Sequence, residues 1–279
     1  MNILLVGFDS AWTPGNKGAL IGAILGADGV MQELGAPVAA DFPEAAALIR
    51  SWQRLHAPSR TLILLDQPTV VPNASGQRPV ENIVASPVSL RYGGVQPANT
   101  SRHDMFGATA PVWSFLAEFG GEADPFTTLS GAHVLETFPV PAMIALGWIL
   151  PDARRTGRLP KYNPERKKTF KLEDWMHVCG AAAGQLRIHG LQEAARWLEN
   201  AALERAPRKA LQDGVDSCIC LLVAAHLANG KHALLVGNTE TGYMVLPHGD
   251  DLVRELNARC VATGRRPQDW VRPLRLSFS

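Results

Sequence analysis

Apolar runs closed by a single acid punctuate this chain. The first is Asn2-Ile3-Leu4-Leu5-Val6-Gly7-Phe8-Asp9-Ser10. About six apolar positions without polar alternation predict a strand buried on both faces. Asp9 stands where that strand runs out, so its carboxylate is expected at the rim of a sheet. The pattern recurs in Thr61-Leu62-Ile63-Leu64-Leu65-Asp66-Gln67-Pro68 and in His133-Val134-Leu135-Glu136-Thr137-Phe138-Pro139. Three predicted strands therefore each deliver one acid at or near the carboxyl end. Asp213 and Asp216 add a fourth contribution, expected to open a long apolar helix that stops at Asn229-Gly230.

The intervening segments fill in the order. Ala19 to Leu25 predicts a second strand, closed by a Gly-Ala-Asp-Gly turn, and Val30 to Val38 a third antiparallel one. Glu44 onward is helical by composition, with Asp41 as its cap. The opening order is thus strand, strand, strand, helix, strand. From Pro68 to Gly131 the pattern turns irregular, with Pro-Asn-Ala-Ser-Gly and Arg91-Tyr92-Gly93-Gly94 as loop chemistry and one helix over about 110–119. Such a segment serves function or is an insertion packed on an edge. Leu172 to Leu203 reads as helical, and 233–237 with 242–247 as a strand pair. With no internal repeat and no low-complexity linker, the reading is one domain over 1–279, with an insertion at about 69–131 and a C-terminal extension at about 248–279.

Composition narrows the partners little. The chain has 279 residues, 46% of them hydrophobic, and 27 Lys and Arg against 26 Asp and Glu for a net charge of +1. That balance neither demands nor excludes a polyanion. No uninterrupted apolar run approaches the roughly 18 residues of a membrane span, and the amino terminus shows no secretion leader. The four cysteines contain no Cys-x-x-Cys, which fits neither zinc nor a local disulfide. A reduced, cytoplasmic protein is expected, with no membrane partner and with the oligomeric state left open.

The acids carry the chemistry. Carboxylates collected at one rim repel each other unless a cation sits among them, and hard oxygen donors select Mg²⁺ or Mn²⁺. Two such ions about 3.5–4 Å apart are a device for in-line displacement at phosphorus by water. Singly, each acid has a structural alternative: Asp9 and Asp66 as turn formers, Glu136 as a surface acid paired to one of the nearby arginines, Asp213 and Asp216 as first-turn caps. The repetition of the placement favours a metal site. A second feature is 154–171, with eight Lys or Arg against one acid, Glu165, and with Tyr162 and Phe170 interleaved. Lys161, Arg166, Lys167 and Lys168 are its candidates for tracking a phosphate backbone, with the aromatics stacking on bases. The alternative is a solvated connecting loop.

The strand order, with acids closing the first and fourth strands, resembles the ribonuclease H-like superfamily, and the late Asp213-Gly-Val-Asp216-Ser217 resembles its Holliday-junction resolvase branch. More closely, Gly7-Phe-Asp9-Ser-Ala-Trp12, Leu65-Asp66-Gln-Pro68, Glu136-Thr-Phe-Pro139, Lys161-Tyr-Asn-Pro164 and Asp213-Gly-Val-Asp216 resemble domain-of-unknown-function family 429 over about 2–247. Members of that family are predicted to be ribonuclease H-like nucleases. The resemblance implies an α/β fold with a central mixed sheet flanked by helices, and Asp9, Asp66, Glu136 and Asp216 as metal ligands and catalytic residues, with Asp213 as a fifth ligand. The expectation is a metal-dependent nuclease or phosphodiesterase acting on nucleic acid. Two alternatives stay open. One is an actin-like or sugar-kinase-type phosphotransferase, with Thr13, Gly15, Lys17 and Gly18 forming a phosphate hairpin. The other is a non-catalytic nucleic-acid-binding protein on the same fold.

Overall fold

The computed structural model describes residues 2–86, 88, 95–120, 124–153 and 157–278. The chain opens with β1 (Ile3–Asp9), β2 (Gly18–Leu25), β3 (Met31–Glu33) and β4 (Val38–Ala40), then α1 (Phe42–His56) and β5 (Arg60–Leu65). Within 69–131 lie α2 (Pro79–Val84), α3 (His103–Phe106), α4 (Pro111–Glu118) and β6 (Thr128–Leu129), followed by β7 (Gly131–Glu136) and α5 (Pro139–Ala145). Next come α6 (Leu172–Ile188), α7 (Gln192–Ala202) and α8 (Lys209–Ala228), then β8 (Ala233–Asn238) and β9 (Gly242–Pro247). The chain closes with α9 (Asp250–Ala262), α10 (Pro267–Trp270), β10 (Val271–Leu274) and β11 (Ser277–Phe278).

The main sheet runs β3-β2-β1-β5-β7, with β4 also paired to β2. β1 is antiparallel to β2 and parallel to β5, which is parallel to β7. Every residue of β1 is buried, as its unbroken apolar run predicts. Alternate positions feed two cores. Leu4, Val6 and Phe8 pack with Phe42, Ile49 and Trp52 of α1 and Phe115 of α4. Ile3 and Leu5 join the larger core, which includes the apolar residues of α6 and α8 and of the β10-β8-β9 sheet. The result is a mixed α/β sheet with helices on both faces.

Four expectations need correction. The single third strand over 30–38 is two short ones, because Gly35 turns at φ +112° and Pro37 lacks a ladder donor. Both pieces still pair with β2, β3 opposite Ala23–Leu25 and β4 opposite Gly18–Leu20. The helical stretch 172–203 is α6 and α7, parted at Gly190 with φ +82°. Among its described residues, the 69–131 segment holds three short helices where mostly loop was expected, since elements of four to eight residues are too short to show a 3.6-residue period. Arg91-Tyr92-Gly93-Gly94 lies outside the described residues. Finally, α8 begins at Lys209, so Asp213 and Asp216 sit beyond its first turn and are not caps.

That last helix organises the fold. α8 is long and apolar enough to cross a membrane by length and composition, an outcome the absence of an uninterrupted run did not anticipate. Inside the fold, 83% of that stretch is buried. It lies against β1, and Gly7 sets the approach: a Cβ there would stand 2.1 Å from the Ser217 carbonyl oxygen and 2.4 Å from the Leu221 nitrogen. Only a residue without a side chain lets helix and strand meet this closely.

A buried carboxyl cluster and its cleft

Parallel pairing brings the acid-bearing ends of β1, β5 and β7 to one edge. Phe8 is in register with Leu65, and Leu65 with Glu136. The Asp66 amide donates to the Phe8 carbonyl at 2.9 Å, so Asp9 and Asp66 leave the sheet side by side. The contact at Gly7 then brings the amino-terminal half of α8 over the same edge. Asp9, Asp213 and Asp216 are only 4%, 6% and 4% exposed, and Asp66 is half-buried.

The cluster is electrostatically strained. Burial pushes the Asp9 and Asp66 carboxyls well above the usual carboxylate range, and neighbouring acids add to it, Asp66 foremost for Asp9 and Asp216 for Asp66. Asp216 is pushed up to about 6 by burial, against the opposing pull of Lys209, Tyr162 and Gln212. Asp213 is also raised by burial, although Lys209 pairs with it and Asp9 lies within hydrogen-bonding reach. The Tyr162 hydroxyl donates to Asp216 Oδ1 at 2.7 Å and Gln212 Nε2 to Asp216 Oδ2 at 2.9 Å.

Among the described residues, one cation, Lys209, is paired with these acids. Lys209 Nζ pairs with Asp213 and lies 3.9 Å from Asp9 Oδ2. Burial alone would lower its ammonium pKa, but Asp9, Asp216 and Asp213 more than offset this and hold it above the ordinary lysine value. A single lysine does not satisfy the group. Among the described residues, Asp9 Oδ2, Gln67 Nε2 and Gln212 Oε1 remain buried without a hydrogen-bond partner, a state that native interiors rarely tolerate outside functional sites.

Glu136 lies at the same edge in a different environment. Arg78, from the 69–131 segment, grips it with Nη1 at 2.9 Å and Nη2 at 2.6 Å, and the Thr69 amide adds a 3.0 Å bond. The other side of the guanidinium holds Glu81 through Nε at 2.8 Å. Glu81 also accepts from the amides of Arg78 and Ala98. All three side chains are buried. Glu136 therefore lines the cleft but is occupied by Arg78, apart from the four aspartates.

Asp9, Asp66, Glu136, Asp213 and Asp216 all line one cleft of about 530 Å³, with Ser10, Trp12, Lys17, Gln67, Tyr162, Arg166, Lys209 and Gln212 among its walls. Seven acids and four basic residues line it, so it repels a bare polyanion. Of the basic candidates, Arg166 reaches the cleft wall, whereas Lys167 and Lys168 are exposed and do not line it. Lys161 is half-buried, its amide donating to Asp174 at 2.7 Å. Arg154 and Arg155 lie outside the described residues. The expected aromatic stacking from this stretch needs correction: Tyr162 is buried against Asp216, and Phe170 packs on the core. Arg158 and Asp174 anchor the segment so that Tyr162 reaches the cluster. In the β1–β2 connection, Lys17 pairs with Glu44.

Reading the sequence missed Lys209, Gln212, Arg78 and Trp12. Lys209 and Gln212 stand four residues before Asp213 and Asp216, on matching faces of α8, and placing the helix start at Lys209 would have found them. Arg78-Pro79 with Glu81 carries a helix-start signal, Pro in the first turn and Glu two residues later. Trp12 closes the motif that begins at Gly7, but nothing in that motif assigns it a place in the cleft.

All the candidate donors are carboxylate oxygens, which suits a hard divalent cation, and Asp9 Oδ2, which accepts no hydrogen bond, keeps lone pairs to offer one. Among the described residues, no three such groups are drawn together as ligands of a single ion in this conformation. Lys209 between Asp9 and Asp213, and Tyr162 with Gln212 on Asp216, hold them in a looser array.

Fold and site together define a mixed α/β protein with an acidic cleft at the carboxyl edge of its parallel strands. The chain belongs to the family described as protein of unknown function (DUF429), whose model matches residues 7–241. That span runs from β1 through β8 and contains every acid of the cleft. The chain has no significant match among curated proteins or among solved structures.

Proposed function

We propose that this protein is a ribonuclease H-like, divalent-metal-dependent phosphodiesterase acting on nucleic acid. The observation that carries the reading is the convergence of Asp9, Asp66, Asp213 and Asp216 in one cleft, buried and under-neutralised, with an Asp9 oxygen left unpartnered. Buried like charges persist only where something outside the chain stabilises them or function requires them. The order of antiparallel strands, helix and parallel strand, with β3 and β4 together taking the place of the third strand, and the acids closing β1 and β5 support the ribonuclease H-like assignment.

Asp9, Asp66 and Asp216 would hold Mg²⁺ or Mn²⁺, with Asp213 as an outer participant. The ion supplies Lewis-acid stabilisation at phosphorus and a water of lowered pKa. Tyr162 and Gln212 fix the orientation of Asp216. Lys209 balances the charge of Asp9 and Asp213, and its half-exposed ammonium can turn toward a phosphate oxygen in the cleft. Glu136, neutralised by Arg78, supports the edge of the site.

Calorimetric titration with Mn²⁺ of the wild-type chain, Asp9→Asn and Asp216→Asn tests this. The expected result is stoichiometric binding by the wild type, lost in both folded variants. Negligible binding by all three, or binding the substitutions leave unchanged, would overturn the metal site and move a non-catalytic binding role ahead.

A further inference from the structure

We propose that the cleft accepts a single nucleotide unit, with its phosphate over the carboxyl cluster and its base against Trp12. The unit is a free nucleoside phosphate or the terminal residue of a single strand, two sources of one chemistry. This inference rests on the phosphodiesterase reading and adds its substrate class.

Depth is the first argument. Asp9, Asp213 and Asp216 are at most 6% exposed, so a phosphate reaches them only by entering the cleft. A volume of about 530 Å³ suits one compact ligand. Both walls are tied down. On one side Arg78 bridges Glu81 and Glu136, and on the other Tyr162 is bonded to Asp216. A continuous duplex is stiff over about 150 base pairs and carries its phosphates on its outside, so it cannot press one into such a recess without extruding a nucleotide. A free or terminal nucleotide enters without that penalty.

Trp12 supplies the second argument. Its indole N–H donates to the Asp66 carbonyl at 2.8 Å, tying the ring to the residue whose carboxyl joins the cluster. One edge contact with Phe106, centroids 5.7 Å apart, steadies the ring, which lines the cleft half-buried. The Trp12 backbone sits at φ +63°, a region bulky residues avoid and that is found where side-chain placement serves a site. An aromatic platform beside a phosphate-directed cluster is the arrangement that holds single nucleotides by stacking. Gln67, 1% exposed and with Nε2 unpartnered, adds an unspent donor in the same cleft for a phosphate or sugar oxygen.

The test follows dye-labelled thymidylate by fluorescence anisotropy in Mn²⁺, after calorimetry has established whether Mn²⁺ binds. Competitors are thymidine 5′-monophosphate, a short linear phosphorothioate single strand, the same strand circularised, and closed circular duplex at equal phosphate concentration. The mononucleotide or the linear strand should compete, with circular duplex at least about tenfold weaker because a base must first be unpaired and extruded. Trp12→Ala should weaken thymidylate by at least about fivefold, while Trp12→Phe, which keeps a stacking face, stays within about twofold. A linear strand outcompeting both the mononucleotide and its circular form supports a terminal residue, and the mononucleotide competing best supports a free nucleotide. Circular duplex competing equally, Trp12→Ala binding at wild-type affinity, or no thymidylate binding by a chain that binds Mn²⁺ would each overturn the inference alone. Failure of Mn²⁺ to bind would overturn the phosphodiesterase reading beneath it.

Discussion

Two groups of buried charges share the rim of one sheet and are treated in opposite ways. In the Glu81–Arg78–Glu136 triad each acid accepts from the central guanidinium and from backbone amides. On the same edge, Asp9, Asp66, Asp213 and Asp216 share, among the described residues, one partly exposed lysine, and Asp9 Oδ2 has only its long ion pair with Lys209 and no hydrogen bond. Asp9, Asp213 and Asp216 are buried almost as deeply as the triad, and Asp66 is half-buried. What differs is how far the chain supplies its own counter-charge and donors: a fully bonded guanidinium between two acids in the triad, one ammonium for four acids in the cluster. Where it does so in full, the acids tie the 69–131 segment to β7 and serve as structure. Where it does not, the free energy of the unmet charge is available to a ligand.

Removing the counter-charge from the satisfied side should have the largest effect. Arg78→Met leaves Glu81 and Glu136 buried without their cation, and breaking a buried pair in this way costs about 3–5 kcal/mol. Urea unfolding should show that loss. A change below about 1 kcal/mol would place Arg78 among ordinary surface charges and erase the contrast.

The unsatisfied side should respond to pH instead. Asp216 has a folded-state pKa of about 6 against 3.8 for the free side chain. The folded protein therefore keeps a proton that the unfolded chain has already released. Its stabilising contribution is full below about pH 4, falls from there to about pH 6, and is gone above. The window corresponds to about 3 kcal/mol at roughly 1.4 kcal/mol per unit. Asp9 and Asp66 are shifted in the same direction. Unfolding free energies at pH 5 and pH 7.5 should show the wild type weaker at the higher pH, with the difference reduced in Asp216→Asn. If Asp216→Asn keeps the full pH dependence, the strain lies elsewhere.

Gly7→Ala separates the two groups by packing. The added methyl would collide with the Ser217 carbonyl and the Leu221 amide, and overpacking of this kind costs about 1–3 kcal/mol. α8 must shift away from β1, which moves Asp213 and Asp216 relative to Asp9 and leaves the Arg78 triad, on other elements, in place. Mn²⁺ affinity should drop in a chain that still unfolds cooperatively. Unaltered affinity would mean that Asp216 does not depend on this contact.

The same division explains what the sequence made legible. Strands β1 and β5 were readable because each carries an apolar run buried on both faces, whereas β7 showed only its short buried end, Val134 and Leu135 before Glu136. The acids closing them were readable for the same reason, as abrupt stops. An arginine partner for Glu136 was an open alternative, but that it is Arg78, buried and 58 positions away, was not readable, since no local pattern encodes that pairing. Lys209 was hidden differently: it precedes the apolar pattern of α8, so a start judged from periodicity falls too late. Trp12 was silent because its role comes from a bond to the Asp66 carbonyl 54 residues away. Periodicity reports burial, whereas charge balance is set by contacts distant in sequence.

The finest test of the comparison is a single hydroxyl. Tyr162 donates to Asp216 and is the nearest the carboxyl cluster comes to the fixed donors of the triad. Tyr162→Phe removes that donor with little change of shape, at a stability cost of about 1 kcal/mol at neutral pH. Because the hydroxyl favours the ionised carboxylate, its loss should raise the Asp216 pKa further above about 6. Carboxyl ¹³C titration by NMR, read at Asp216, measures this directly. An upward shift identifies Tyr162 as the group that keeps Asp216 partly ionised and ready to ligate. A downward or absent shift would mean that Lys209 and Gln212 carry that work, and that the basic loop delivers Tyr162 to the cluster for packing alone.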